Sequence, residues 1–187
     1  SGFFITATDT EVGKTVVTGL LAGALRRQGL DLGVWKPAAS GVIAGEPHDG
    51  TILGQLSGVP DAAETIAPLR YRAPLTPWLA AQAEGIELTQ AAMLVAGEPL
   101  RQRYRHLLVE GAGGLLAPLT ASTNNADLAL ALDLPLLIVA RSGLGTVNHT
   151  LLTIEAARAR GLRVAGIILN GYQTPPPTGI FQFPPPP

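Results

Sequence analysis

Short hydrophobic runs alternate along the chain with longer stretches in which apolar and polar residues recur at helical spacing. This alternation is typical of a parallel sheet flanked by helices. The apolar runs predict strands over residues 3–7, 32–35, 106–109, 136–140 and 164–169. We therefore predict a three-layer α/β/α fold with a mostly parallel central sheet.

The stretches between these runs predict the helices. The predicted ranges are 16–28, 49–56, 78–83, 89–105, 125–132 and 148–160. The apolar residues of the first helix that recur at helical spacing are Val16, Val17, Leu20, Leu21, Ala24 and Leu25. Their spacing predicts a helix that buries one face on the sheet. We expect the 89–105 segment to break at Gly97 or Pro99.

No internal repeat or linker is visible, so residues 1–172 are predicted to form a single domain. Residues 173–187 differ from the rest because they are rich in proline, which cannot continue a helix or a central strand. They are compatible with an extended polyproline segment, with a disordered end, or with a truncated or irregular sequence.

Composition narrows the classes of function. With 47% hydrophobic and 14% charged residues among 187, the chain is predicted to have a large buried core. Its net charge is −1 and its longest basic run is the pair Arg26-Arg27, which argues against nucleic acid or an acidic membrane as partner. Absence of cysteine excludes disulfides and thiolate chemistry, and the apolar runs are too short for a membrane span. We expect a cytoplasmic enzyme.

The most informative segment lies between the first predicted strand and the first predicted helix. Its residues are Thr8, Asp9, Thr10, Glu11, Val12, Gly13, Lys14 and Thr15. A strand, a tight loop ending in Gly-Lys-Thr and a helix form a phosphate-binding loop, in which backbone amides and the lysine face the anion. Thr8 replaces the first glycine of the common pattern, so a chance tripeptide in a surface turn is the alternative. The position between strand and helix favours the phosphate loop.

Two other predicted strands end in groups that suit phosphate chemistry. Lys36 follows the second strand, with Pro37 and then Ser40 close behind, and it is predicted to reach the same site as Lys14. Glu110 ends the third strand and precedes a glycine-rich turn, where a carboxylate commonly serves nucleotide-bound Mg2+. A solvated lysine at a strand end and an ordinary glycine turn are the alternatives.

The remaining candidates have simpler interpretations. Asp49 opens a predicted helix, and an N-cap is the commoner role there. The segment from Thr146 to His149 is likewise interpreted as a helix cap. His48, His106 and His149 have no metal-ligand spacing and form no obvious catalytic triad.

Four segments together resemble the dethiobiotin synthetase family in order and spacing: residues 8–15, 36–41, 110–114 and 144–149. The likeness spans residues 3–170. It implies a P-loop NTPase fold with a seven-stranded, largely parallel sheet, and a homodimer. It also implies an ATP-dependent cyclo-ligase of biotin synthesis, which joins 7,8-diaminopelargonic acid and CO2 into dethiobiotin through a phosphorylated carbamate.

The resemblance implies roles for individual residues. ATP would be bound by Glu11, Val12, Gly13, Lys14, Thr15, Asp49, Glu110 and Asn170, and Mg2+ by Thr15, Asp49 and Glu110. The catalytic residues would be Lys36, Lys14 and Thr10. The substrate would contact Thr10, Lys36, Ser40, Gly113, Gly145, Thr146, Val147 and Asn148, the last four across the dimer interface. Ala7, Gly171 and the proline-rich end depart from the family pattern, and adenine recognition is the least supported part.

Two rival functions share the loop. An amidating synthetase would need an ammonia source, usually a glutaminase with a cysteine nucleophile, and this chain has no cysteine. A partitioning or switch ATPase usually carries a lysine early in the loop, where this chain has Asp9, or a membrane-targeting stretch. The ligase is the leading hypothesis.

Overall fold

The computed structural model describes residues 1–172, and the predictions made for the proline-rich segment lie outside the described residues. The strands are β1 (Gly2–Ala7), β2 (Leu32–Trp35), β3 (Ala38–Ala39), β4 (Leu69–Arg70), β5 (His106–Glu110), β6 (Leu136–Arg141) and β7 (Val164–Asn170). The helices are α1 (Lys14–Arg27), α2 (Asp49–Ser57), α3 (Ala63–Ile66), α4 (Pro77–Ala83), α5 (Gln90–Ala96), α6 (Glu98–Arg103), α7 (Asn125–Ala131) and α8 (Thr146–Ala159).

The central sheet contains the five predicted strands in the order β2-β5-β1-β6-β7, and each neighbouring pair is parallel. On the central strand β1, Ile5 pairs with Glu110 on one side and with Leu137 on the other. Because all five strands point the same way, their carboxyl ends lie along one edge of the sheet. The prediction of a mostly parallel α/β fold is confirmed.

The sheet differs from the seven-stranded one that the resemblance implies. Among residues 1–172, the two further strands, β3 and β4, pair only with each other, through Ala38 with Leu69 and Ala39 with Arg70. Pro37 separates β3 from β2 and has no amide hydrogen for a sheet ladder. Both strands are two residues long, too short for hydrophobic periodicity to reveal.

Side chains of β1 alternate between two cores, which gives the molecule three layers. Phe4 packs in a core with residues of α4 to α8, such as Leu128 and Ala157. Ile5 packs on the other face with residues of α1 to α3, such as Ala22 and Ile66. Both faces of the sheet are therefore covered, as expected for a parallel sheet.

The buried face of α1 differs from the prediction in part. Val17, Leu21 and Leu25 do pack against the core, but Val16 and Leu20 are exposed. A second buried face, formed by Thr18, Gly19, Ala22 and Gly23, was not predicted. Gly19 and Gly23 lie directly against Leu56 of α2, and a Cβ at Gly19 would come within 2.6 Å of the Leu56 Cβ. Small residues thus allow the two helices to approach closely.

Helix boundaries mostly agree with the predictions. The 89–105 segment breaks at Gly97, as one of the two alternatives predicted. Gly97 lies against the buried indole ring of Trp35, with which a Cβ would overlap. The helix predicted from residue 16 begins at Lys14, and the helix predicted from residue 148 begins at Thr146. None of the helices formed by residues 1–172 is long and apolar enough to span a bilayer.

Candidate active site

The phosphate loop joins the central strand β1 to α1. Gly13 is the N-cap of α1 with φ 88°, a left-handed conformation that suits glycine. The amides of Lys14, Thr15 and Val16 begin the helix and have no acceptor within its hydrogen-bond pattern. They are therefore free to bind an anion, and the helix dipole adds positive potential at the same point.

Neighbouring strands hold the loop in place. Asp9 accepts a hydrogen bond from the Thr10 amide at 2.8 Å and forms an ion pair with Arg141 at 3.4 Å. Asn170, the last residue of β7, donates to the Val12 carbonyl at 2.8 Å. The amide of Asn170 also lies where a Cβ on Gly13 would be, so the loop has no room for a larger residue there.

A cavity of about 620 Å³ opens at the carboxyl edge of the sheet, beside the loop. The predicted site residues that line it are Thr10, Glu11, Gly13, Lys14, Thr15, Lys36, Ser40, Asp49, Glu110 and Gly113. The two lysines thus face one common space, as predicted. Val12 is buried behind the loop, and Asn170 contacts the loop from β7 rather than lining the cavity.

Lys36, Glu110, Asp49 and Thr15 form a connected polar cluster in the wall of this cavity. The Lys36 Nζ lies 2.7 Å from the Glu110 Oε1, 3.0 Å from the Asp49 Oδ2 and 3.2 Å from the Gly111 carbonyl. The Thr15 hydroxyl donates to the Glu110 Oε1 at 2.8 Å and lies 3.4 Å from the Asp49 Oδ1. The side chains of Lys36 and Glu110 are 5% and 0% exposed, so the interpretation of Lys36 as a solvated strand end is wrong.

Burial and charge set the protonation of the cluster. Burial opposes the charge on Lys36, but Glu110 and Asp49 outweigh it and raise the pKa of Lys36 above its usual value. Burial likewise opposes the charge on Asp49, and Lys36 and Thr15 outweigh it and lower the pKa of that carboxyl. For Lys14, burial and the nearby Lys36 ammonium lower the pKa to about 8. An anion bound beside Lys14 would raise this pKa again, because a nearby negative charge favours the charged form.

Asp49 has a different role from the N-cap that its position suggested. The cap of α2 is His48, whose Nδ1 accepts a hydrogen bond from the Gly50 amide at 3.1 Å. Asp49 is the first helical residue, and its carboxylate points to Lys36 and Thr15. Because His48 caps the helix, the Asp49 carboxylate is not used as a cap and can take part in the cavity wall.

The cluster offers two carboxylates and a hydroxyl, the oxygen donors that a hard divalent cation prefers. Within residues 1–172, the buried Glu110 Oε2 has no hydrogen-bond partner. No group of three or more His, Cys, Asp or Glu side chains comes together in the described part of the chain. A cation held here would therefore need further oxygen ligands from water or from a bound phosphate.

The glycine-rich turn after β5 depends on a residue that the sequence analysis missed. Asn125, at the start of α7, is fully buried and donates to the carbonyls of Ala112 and Gly114, both at 2.8 Å. Its Oδ1 accepts from the Ala112 amide at 3.1 Å. Asn125 thereby fixes the turn that lines the cavity with Ala112 and Gly113. No sequence signal marks this role, because the burial of Asn125 and its backbone partners become visible only in the fold.

A second missed feature is the segment before α4, which also lines the cavity. Its lining residues are Pro74, Leu75, Thr76 and Pro77. Their segment precedes α4, for which Pro77 is the first residue. The two prolines that bracket Leu75 and Thr76 were a signal of an extended, rigid segment. The lining of the cavity therefore combines charged side chains with apolar ones.

The residues that begin α8 are not brought to this cavity. Gly145 is the N-cap of α8 with φ 89°, so the cap expected from Thr146 is wrong, because Thr146 is already helical. Within the described chain, Gly145, Thr146, Val147 and Asn148 lie outside the lining of the cavity. Leu144, Val147 and Leu151 are exposed on this part of the molecule.

Comparison with solved structures finds a similar fold in other proteins. The kinase domain of Escherichia coli tyrosine kinase ETK is similar with a TM-score of 0.57 and 15% identity, covering 97% of this chain and 71% of that one. The MinC:MinD cell division protein complex of Aquifex aeolicus gives a TM-score of 0.52 and 15% identity, with coverage of 92% and 69%. At this identity the likeness shows the fold alone.

Comparison with curated proteins is more specific. ATP-dependent dethiobiotin synthetase BioD of Anaeromyxobacter dehalogenans (strain 2CP-C) is 54% identical over 169 residues, which are 90% of this chain and 76% of the relative. The protein of the same name from Bacillus thuringiensis (strain Al Hakam) is 50% identical over 172 residues, with coverage of 91% and 71%.

A family model adds the wider class. The model described as an AAA domain matches residues 1–184. Together with a phosphate loop that opens on a cavity containing both lysines, these matches identify the chain as a member of the ATP-dependent dethiobiotin synthetase family of ligases.

Proposed function

We propose that the protein closes the ureido ring of dethiobiotin from 7,8-diaminopelargonic acid and CO2, with ATP converted to ADP and phosphate. The observation that carries this proposal is the buried cluster of Lys36, Glu110, Asp49 and Thr15 directly beside the phosphate loop. The names of the relatives, ATP-dependent dethiobiotin synthetases, supply the substrate class.

The chemistry proceeds in three steps. One amine of the diamine attacks CO2 and loses a proton, which gives a carbamate. A carbamate oxygen then attacks the γ-phosphorus of ATP and ADP leaves, which gives a carbamic–phosphoric anhydride. The second amine attacks the carbonyl carbon of that anhydride and loses a proton, phosphate leaves, and the cyclic urea is complete. Anionic oxygens meet in the second step, so clustered positive charge is needed.

Residues of the phosphate loop and of the cavity lining supply this positive charge in the proposal. Glu11, Val12, Gly13, Lys14 and Thr15 surround the ATP phosphates in the proposal, with the free amides of α1 as donors. Lys36 stabilises the carbamate and the transferring phosphoryl group, and Thr10, Ser40 and Gly113 hold the carbamate end of the substrate. Asn170 is proposed near the purine, since it already borders the loop at Val12.

Mg2+ is the proposed cofactor, held by Thr15, Asp49 and Glu110. When bound, Mg2+ neutralises phosphate charge during transfer. The donor set fits this ion, because Mg2+ usually takes one or two carboxylates and completes its shell with phosphate and water. The unpartnered Oε2 of the buried Glu110, among the described residues, supports the same assignment.

A homodimer in the cytoplasm is part of the proposal. The exposed apolar residues Leu144, Val147 and Leu151 at the start of α8 supply a surface suited to a second copy. Gly145, Thr146, Val147 and Asn148 would then contact substrate bound by the partner subunit. Light scattering in solution tests this assembly, which requires a mass of two chains.

The decisive experiment measures ADP release with and without 7,8-diaminopelargonic acid and bicarbonate. We expect ADP release to depend on both, with dethiobiotin formed in equal amount by mass spectrometry. A reaction in which either substrate is omitted is the control. ATP turnover indifferent to the diamine would reject the ligase and favour a switch-type ATPase.

A further inference from the structure

The ammonium of Lys36 is engaged by three oxygens. It donates to the Glu110 Oε1 at 2.7 Å and to the Gly111 carbonyl at 3.2 Å, and it forms an ion pair with the Asp49 Oδ2 at 3.0 Å. These partners equal in number the three N–H groups of a lysine ammonium. Two of these acceptors belong to the carboxylates that the proposed function assigns to Mg2+. The Lys36 ammonium thus lies against the two carboxylates proposed to bind the metal, and not in a position to contact the substrate.

The position of Lys36 has an electrostatic reason. Glu110 is fully buried and Asp49 is two-thirds buried, and two carboxylates this close are costly to bury without a cation. Lys36 compensates their charge when the protein is free of ligands. Lys14, by contrast, forms no ion pair with either carboxylate within residues 1–172. Its burial and the repulsion from Lys36 both lower the pKa of Lys14.

The cavity beside Lys36 has room for its ammonium group. It lines the cavity of about 620 Å³ together with Lys14, Thr10 and Ser40. A different rotamer of the Lys36 side chain would move the ammonium from the carboxylates into this space without a change in the backbone. The Lys36 amide meanwhile stays fixed by its 2.8 Å hydrogen bond to the Ile66 carbonyl.

We propose that Lys36 and a divalent cation compete for Asp49 and Glu110, so that Lys36 leaves these carboxylates and enters the substrate cavity only when the metal takes them. This inference rests on the proposed function, because it uses the Mg2+ assignment made there. It makes Lys36 an internal cation that keeps the ligand-free site stable. It also couples metal loading to the delivery of the catalytic ammonium.

Direct metal binding tests the competition without nucleotide or diamine. Mn2+ is titrated into wild-type protein, Lys36→Met and Lys14→Met, and the free ion is followed by electron paramagnetic resonance. The chain has two lysines, so Lys14→Met is a matched control that removes the same charge from the same cavity. We expect Lys36→Met to bind Mn2+ at least about tenfold more tightly than wild type, and Lys14→Met to change affinity by less than about threefold.

A second measurement does not depend on a variant. Wild-type protein is acetylated briefly with and without millimolar Mg2+, and modification at Lys36 relative to Lys14 is measured by mass spectrometry. We expect Mg2+ to increase this ratio, because Lys36 becomes accessible. An unchanged ratio, equal Mn2+ affinity in wild type and Lys36→Met, or an equal gain in both methionine variants would overturn the competition. Diamine-dependent ADP release in the wild type would still uphold the ligase, so the two failures are distinguishable.

Discussion

Glu110 shows how a single side chain connects the elements of the site. Its Oε1 accepts hydrogen bonds from Thr15 of α1 and from Lys36 after β2, while its own backbone lies in β5. A buried carboxylate that is shared in this way holds both donors at fixed positions. The geometry of the cluster is therefore set by one strand end, and Lys36 is the member to which the proposed function gives a catalytic role.

Substitution of Lys36 by glutamine separates binding from chemistry. We expect Lys36→Gln to bind ATP within about tenfold of wild type but to form dethiobiotin about 10³-fold more slowly or worse, because a charge that stabilises the transition state is lost. Single-turnover product formation and ATP titration measure the two effects. Arg72→Gln is the control, since Arg72 is an exposed cation outside the cavity lining. Near-normal turnover in Lys36→Gln would remove Lys36 from the mechanism.

At the scale of elements, the site could be predicted where it follows from strand ends. Lys36 and Glu110 could be placed together because parallel strands deliver their carboxyl ends to one edge. The buried face of α1 could be predicted only in part, because Gly19 and Gly23 contact α2 and carry no hydrophobic signal. The short pair of β3 and β4 has no periodicity to detect.

Asn125 was beyond sequence reasoning for a different physical reason. Its partners are backbone groups of a turn in another part of the chain, and backbone acceptors leave no trace in residue identity. A single asparagine in the sequence does not indicate which carbonyl it will meet. The neighbouring Asn124 illustrates the contrast, because it is the N-cap of α7 and follows a local rule.

The pair Asn124 and Asn125 gives a matched test at this scale. We expect Asn125→Ala to reduce the free energy of unfolding by about 2–4 kcal/mol, because buried backbone groups lose their partners. We also expect it to weaken substrate binding, since Ala112 and Gly113 line the cavity. Asn124→Ala should cost about 1 kcal/mol as a lost cap and leave the KM for the diamine unchanged. Urea unfolding and steady-state kinetics measure both, and equal KM effects would contradict the assignment.

At the scale of the whole molecule, a second polar cluster lies at the opposite edge of the sheet from the cavity. Tyr104, just before β5, donates a hydrogen bond to the Asp61 carboxylate, and Arg103 forms an ion pair with the same carboxylate at 3.0 Å. The Arg26 guanidinium, near the end of α1, lies 6.0 Å from the centre of the Tyr104 ring. This cluster ties α1, the segment after α2 and the start of β5 together, and it is predicted to support stability rather than catalysis.

The pH dependence of stability tests that role. Burial, the hydrogen bond to Asp61 and the charge of that carboxylate raise the pKa of Tyr104 to about 12. Because the folded value exceeds the unfolded value of about 10, the stabilisation is complete below pH 10 and is lost as the pH rises towards 12. We expect the free energy of unfolding of wild type to exceed that of Tyr104→Phe by about 1–2 kcal/mol at pH 8, a range that allows for the partial exposure of the ring. We expect this difference to narrow above pH 10.

Urea unfolding of both proteins at several values from pH 8 to 11 measures this gap. The other titrating groups are common to the two proteins, so their contributions cancel in the difference. A gap that stays constant, or that widens with pH, would contradict the role given to the Tyr104 hydroxyl. Turnover of Tyr104→Phe at pH 8 should equal that of wild type, because Tyr104 lies outside the cavity lining.

The hydrogen bond from Asn170 to the Val12 carbonyl joins the loop at the middle of the sheet to its outermost described strand, β7. A rearrangement of that loop must either break this hydrogen bond or displace Asn170. The change is therefore transmitted to β7, which lies two strands away from β1 in the sheet. A spectroscopic reporter placed on β7, for example an isotope label at Ile168, would therefore register nucleotide arrival while remaining remote from the chemistry.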